Sequence, residues 1–215
     1  MIMSFQLPRI YPLTDVQMSG LSHAEQIGRL RRGGASLIQI REKRATPVEF
    51  YEQAKAAVEV ANRLGVKVII NDRVDVALAT GAAGVHLGQD DMPPEAARKL
   101  LGEEAIVGYS THNLEQARQA LSLPIDYLAI GPIFKTATKN DIYPALGVER
   151  LRAVREAVGK TPLVAIGGIS HANAFEVIAA GADSVAVISA LLSHPGNIAT
   201  ATQTLLQSVS IPRST

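Results

Sequence analysis

The sequence predicts an α/β fold of the (β/α)8 barrel type. Three observations carry that expectation: eight short apolar runs, longer segments of helical period between them, and polar residues gathered after the runs rather than before them. Most of the runs are rich in Ile and Val, as suits strands buried on both faces, and each is too short for a helix of ordinary length. An open, doubly wound sheet is the competing architecture. Eight similarly buried runs, with no glycine-rich dinucleotide turn after the first, favour the barrel.

Taken in order, "RIYPLTD" ends on Asp15, and "SLIQIREK" ends on Arg41, Glu42 and Lys43. A helical stretch over 46–65 follows, with Phe50, Ala54, Ala57, Val58 and Ala61 near one face. "KVIIND" leads to Asn71, Asp72 and Arg73. "GVHLGQ" leads to Gln89, Asp90 and Asp91, before a helix expected at 94–102. "AIVGYST" carries Ser110, Thr111, His112 and Asn113, before a helix at 114–122. "YLAIGPIF" runs into Lys135 to Lys139, before a helix at 148–159. "PLVAIGG" ends on Gly167 and Gly168, before a helix at 171–181, and "SVAVIS" ends on Ser189. Several helices stop at glycine, and "GGAS", "TGAAG" and "AAGADS" read as one helix-to-strand turn used three times. The strand entrances look bland by comparison. In a barrel the exits converge on one face, where active sites are built. A single domain is expected, with a core over about 9–192 and frayed tails at "MIMSFQ" and "SVSIPRST".

Composition narrows the function. A chain of 215 residues, 47% hydrophobic, can bury a substantial core. Its net charge of +1 gives no bulk attraction to nucleic acid or membrane, so any anion must be held locally. There is no cysteine, which excludes disulfides, thiolate metal sites and cysteine nucleophiles. The five histidines show no metal-ligand spacing. "MIMSFQLPRIYPLTD" does not read as a signal peptide, and no apolar run approaches the roughly 20 residues that span a bilayer, so a cytoplasmic location is expected.

The exits divide into two chemical sets. Arg41, Lys43 and Lys139 supply donors to phosphate oxygens, while Asp72 and Asp91, beside Asn71, offer hard oxygen ligands. One or two carboxylates plus substrate phosphates is the usual way to hold Mg²⁺, so the two sets together point to a diphosphate on Mg²⁺. Each part has a plainer reading. Arg41, Glu42 and Lys43 could form an internal salt-bridge network, Asp72 could cap a helix or pair with Arg73, and Asp91 could help start a helix. A second anion site is suggested by Gly167, Gly168, Ile188 and Ser189 at the last two exits, with Thr136 and Thr138 nearby. Here the plainer reading is a tight turn and a helix cap. His86 reads as a packed, hydrogen-bonded strand residue. His112, on an exit, could bind substrate or move a proton. His23, His171 and His194 read as surface or helix-start residues.

Taken together, "QIREK", "IINDRVDVALA", "GVHLGQDDMP", "GYSTHN", "GPIFKTATK", "PLVAIGGI" and "GADSVAVISAL" closely resemble the thiamine-phosphate synthases, from about residue 9 to 192. The resemblance implies a Mg²⁺-dependent transferase acting on two small phosphorylated heterocycles, a pyrimidine diphosphate and a thiazole phosphate. It implies that Gln39, Ile40, Arg41, Glu42, Lys43, Asn71, Ser110 and Lys139 bind the pyrimidine diphosphate, with Arg41, Lys43, Ser110 and Lys139 assisting catalysis. Asp72 and Asp91 would hold the metal. Thr136, Ala137, Thr138, Gly168, Ile188 and Ser189 would bind the thiazole phosphate. One departure is Lys135, which stands where the family commonly has proline. Two rivals remain: a related barrel that tautomerises the thiazole without diphosphate or metal, and a non-catalytic thiamine-ligand binding protein. Asp91 and the intact "TATK" argue against the first, and the complete cationic and metal-ligand sets against the second. No nucleic-acid or membrane partner is expected, and a homo-oligomer is left open.

Overall fold

The computed structural model describes residues 6–136 and 143–210. Eight parallel strands close in sequence order into a barrel: β1 (Ile10–Thr14), β2 (Leu37–Ile40), β3 (Lys67–Asn71), β4 (Gly84–Leu87), β5 (Ile106–Thr111), β6 (Tyr127–Ile130), β7 (Leu163–Ile166) and β8 (Ser184–Val187). Each falls within one of the eight apolar runs. Closure comes from β1 pairing with β8, Ile10 opposite Val185 and Pro12 opposite Val187. The helices among the described residues are α1 (Val16–Ser19), α2 (His23–Arg32), α3 (Pro47–Leu64), α4 (Val74–Thr80), α5 (Pro94–Leu101), α6 (Leu114–Gln119), α7 (Gly147–Val158), α8 (Ala174–Ala179), α9 (Ser189–Leu192) and α10 (Ile198–Ser210). None is long and apolar enough to cross a membrane.

Local chemistry sets the helix ends. In α3, Thr46 and Glu49 form a reciprocal capping box, Pro47 occupies the first turn, and Gly65 stops the helix in the left-handed region. Ser22 and Glu25 repeat the box at α2. The α10 segment extends the fold past residue 192. Its sequence, "IATATQTLLQSVS", interleaves Ala, Leu and Gln with Thr, Ser, Ile and Val, so propensity alone does not mark it out. Tertiary packing decides: Ile198, Thr202, Leu205 and Val209 are buried, and α10 lies against α2 and α8. Gly33 permits the approach, because a Cβ there would sit 2.5 Å from Thr202 Cβ. The tail expected to fray at "SVSIPRST" therefore begins inside a packed helix.

Strand alternation then sorts side chains between two cores. Ile38, Ile40, Val68, Ile70, Val85, Leu87, Leu128 and Ile130 pack outward against the helices. Tyr11, Leu37, Ile69, Ile106, Tyr127, Ala129, Val164 and Ala186 fill the barrel interior. Near the strand ends the inward positions turn polar, and that change of character makes the site.

The strand entrances are less bland than their sequence suggests. Arg98, from α5, donates to Ala105 O and to Asp126, whose carboxylate accepts Val107 N–H at 2.7 Å. Two units later Arg155, from α7, donates to Thr161 O and to Asp183, whose carboxylate accepts Leu163 N–H at 2.8 Å. The same clamp thus ties a helix to the foot of the barrel twice.

Candidate active site

A cavity, open to solvent at its mouth, lies at the carboxyl ends of the strands. Gln39, Arg41, Asn71, Ser110, Thr136, Gly168, Ile188 and Ser189 all line it, so residues scattered over 150 positions of sequence meet in one space. Period two explains who faces in. Gln39, Asn71, His86 and Ser110 share the inward phase, whereas Ile40 turns outward into the helix layer and is fully buried there. Ala137, Thr138 and Lys139 lie outside the described residues.

The "REK" segment is held by contacts to other strand exits. Arg41 Nη1 lies 3.6 Å from Asp15, which also caps α1 by accepting Met18 N–H at 3.0 Å. Lys43 pairs with Asp72. Glu42 takes a different part. One of its carboxylate oxygens accepts the N–H groups of Lys43, Arg44 and Ala45 at 2.8, 2.7 and 3.1 Å, and the other lies 3.6 Å from His23 Nε2. These amides hold the Glu42 carboxyl below its ordinary range against the opposing effect of burial, the largest single influence on it. Glu42 therefore shapes the loop that carries Lys43. His23 starts α2 as expected but is buried at 1% exposure, not on the surface, with Nδ1 bonded to Thr14 Oγ1 at 2.7 Å.

The carboxylates of Asp72 and Asp91 face each other. Asp72 is the one non-glycine among the described residues with positive φ, at 63°, a conformation that Asp tolerates better than most side chains. Its backbone is pinned by Asp72 N–H donating to His86 O at 2.8 Å. The plainer readings of both residues fail here. Arg73 bonds Asp75 instead of Asp72, at 2.8 Å, and the cap of α4 uses no side chain. Asp91 accepts Gly88 N–H at 2.7 Å, and α5 likewise lacks a side-chain cap. Burial lifts the Asp91 carboxyl above its ordinary range, and the facing Asp72 adds to that, while Gly88 N–H and Lys43 oppose it. Two hard-oxygen ligands pressed together against mutual repulsion are a fitting seat for a divalent cation. Among the described residues no third His, Asp, Glu or Cys joins them, so oxygens of a bound substrate would complete the coordination.

The opposite end of the cavity is built from the β6, β7 and β8 exits. The chain after β6 runs along the end of β7, with Ile133 N–H on Ile166 O at 2.9 Å and Phe134 N–H on Gly167 O at 3.0 Å. This needs glycine beneath it, since a Cβ on Gly168 would meet Lys135 O at 2.6 Å and its φ is 65°. Ser189 opens α9 without capping it. His112 is fixed by Nδ1 to Gly131 O at 2.8 Å and stacks on Tyr143 at 3.8 Å.

A model of the thiamine monophosphate synthase family matches residues 10–191. The chain belongs to that family. A thiamine-phosphate synthase of Chloroflexus aurantiacus is 47% identical over 196 residues, covering 91% of this chain and 90% of its own. One from Albidiferax ferrireducens is 47% identical over 187 residues, covering 86% and 85%. In structure, a thiamine phosphate pyrophosphorylase from Pyrococcus furiosus superposes with a TM-score of 0.83 at 37% identity, covering 94% of this chain and 95% of that one.

Two thiamine monophosphate synthase residues escaped sequence reasoning. Tyr11 and Tyr127 cross the barrel beneath the cavity, edge to face at 5.8 Å between ring centres, with their hydroxyls 2.9 Å apart. Burial pushes both phenols above their ordinary range. Each sits in strand phase with an inward neighbour, Tyr11 with Leu13 and Tyr127 with Ala129. That phase was the available signal, but a tyrosine in an apolar run reads as core.

Proposed function

We propose that the chain, a transferase of the thiamine monophosphate synthase family, joins 4-amino-2-methyl-5-(diphosphooxymethyl)pyrimidine to 4-methyl-5-(2-phosphooxyethyl)thiazole, giving thiamine phosphate and diphosphate. One observation carries this reading: a single cavity lined by Arg41, Ser110 and an unpartnered Asn71 amide adjoins a mutually repelling carboxylate pair. Asn71 Nδ2 is buried without a partner among the described residues, and Arg41 and Ser110 line the same cavity. A buried donor of that kind costs free energy until something fills it.

In the proposed reaction the methylene carbon–oxygen bond breaks, its electron pair leaves with the diphosphate, and the thiazole nitrogen attacks the carbon. A Mg²⁺ held by Asp72 and Asp91 would neutralise part of the charge growing on the leaving group. Arg41, Lys43 and Lys139 supply cationic donors to the same oxygens, and Ser110 and Asn71 orient the pyrimidine. Gly168, Ile188, Ser189 and the Thr136–Thr138 segment seat the thiazole phosphate at the far end, which holds the two rings in line for attack. No side-chain nucleophile is required.

The test is diphosphate release by the purified protein. It should require both heterocycles and a divalent cation, and chelation should abolish it. Turnover of the thiazole alone, or binding with no release of diphosphate, would overturn the assignment in favour of tautomerisation or simple ligand binding respectively.

A further inference from the structure

The polar groups inside the barrel form a hydrogen-bond chain that has a direction. Gln39 Nε2 donates to Tyr11 OH at 3.1 Å. Tyr11 OH lies 2.9 Å from Tyr127 OH, Tyr127 OH lies 2.9 Å from His86 Nδ1, and His86 Nε2 lies 2.8 Å from Ser110 Oγ. An amide nitrogen can only donate, so Tyr11 accepts from Gln39 and passes its one proton to Tyr127. The opposite direction would give the Tyr11 oxygen two donors and strand its own proton at a site only 1% exposed. Tyr127 then donates to His86 Nδ1. An imidazole that accepts at Nδ1 carries its proton on Nε2, and that proton goes to Ser110 Oγ. The Ser110 hydroxyl proton is left for the cavity.

The surroundings hold this arrangement in place. His86 stacks on Tyr127 with ring centres 5.5 Å apart and planes at 16°. Gly108 makes room for the phenol, since a Cβ there would fall 2.0 Å from Tyr127 Cζ. Across β4 from Ser110, and lining the same cavity, Asn71 has in Nδ2 a second donor without a partner among the described residues.

We propose that this chain fixes Ser110 as a hydrogen-bond donor, with Tyr11, Tyr127 and His86 as positioning residues. The Ser110–Asn71 wall consequently selects a ligand that presents acceptor atoms only, such as an aromatic ring nitrogen or a phosphate oxygen. The identity of that ligand rests on the proposed function, but the direction of the chain does not.

The direction is read in wild-type protein labelled with ¹⁵N-histidine, with the His86 signals assigned by their loss in His86→Gln. The expected tautomer carries hydrogen on Nε2; hydrogen on Nδ1 would overturn the proposal whatever the enzyme's activity. Tyr127→Phe removes the donor to Nδ1 and should mix the two tautomers, and an unchanged pure Nε2–H form would count against the chain. In kinetics, Tyr127→Phe should raise the KM for the pyrimidine diphosphate about tenfold, the scale of one lost hydrogen bond in such a site, and leave the thiazole KM unchanged. Combined with Ser110→Ala it should add nothing further, because it acts through that hydroxyl. Additive losses would show that Tyr127 merely supports the fold. Calorimetry with inorganic diphosphate and with the unphosphorylated hydroxymethylpyrimidine identifies the acceptor: Tyr127→Phe should weaken one of the two, and equal binding of both to wild type and variant overturns the proposal.

Discussion

Asp91 is held where its charge is least comfortable, buried and facing Asp72. Removing that charge should cost function more than fold. Asp91→Asn is expected to lower turnover on the order of a hundredfold, the scale of losing one preorganised charge interaction, and to flatten the response to Mg²⁺. Its thermal midpoint should equal or exceed that of wild type, and a clear fall in melting temperature would mark Asp91 as structural. His23 gives a second residue-scale expectation. Burial holds its imidazole below the ordinary value of 6.5, with Glu42 acting against that shift. Well above pH 6.5 neither the folded nor the unfolded chain is protonated there. As pH falls below about 6.5 the unfolded chain binds a proton that the folded chain resists, so stability declines. Denaturant titrations across pH 5–8 should show a shallower decline for His23→Gln than for wild type; parallel curves would remove His23 from the account. Residues of this scale were legible to different degrees. Asp72, Asp91, Asn71 and Ser110 stood out by their joint placement, since each alone had a plainer structural reading but all of them end apolar runs that a barrel brings to one face. Tyr11, Tyr127 and the buried state of His23 did not, since an amphipathic ring is at home in a core and only the tertiary partner reveals its polar edge.

Among the elements, the strands were the most legible, because being buried on both faces forces an apolar run that little else in a chain of this kind produces. The helices were harder. The long α3, with its capping box and glycine stop, declared itself, whereas α4 has only seven residues and α10 is interrupted throughout by Thr, Ser and β-branched residues. Such segments become helical by what they lie against. The two arginine clamps at the foot of the barrel were invisible for a related reason, since their parts sit 28 residues apart, Arg98 with Asp126 and Arg155 with Asp183. Each clamp satisfies loop carbonyls and a strand N–H that would otherwise face incomplete bonding. Arg98 is 12% exposed at its side chain, so losing it leaves partners that water cannot fully reach. Arg98→Ala should therefore cost about 2 kcal/mol of stability in urea unfolding, with both substrate KM values unchanged because the clamp lies at the end opposite the cavity. A large KM effect with normal stability would contradict this division of the barrel into a supporting end and a working end.

At the scale of the whole molecule, the pairing of β1 with β8 and the packing of α10 on α2 join the two ends of the chain. A chain shortened to residues 1–197, which keeps every strand and loses α10, should expose the α2 face and Gly33 and populate a less cooperative, aggregation-prone state by light scattering and circular dichroism. A monomeric chain with native melting behaviour would show that α10 is dispensable. The same closure bears on how the protein is made. During synthesis β1 emerges first, yet the strand that covers its free edge is the last to appear, after residue 184. Until then the nascent sheet carries an unsatisfied row of backbone donors and acceptors at each of its two edges, which any neighbouring chain on a polysome could pair with. A ring has no edges once closed, but this one must be built as an open ribbon. Slow or interrupted translation before β8 has emerged is therefore the interval in which the protein is most exposed to misassembly.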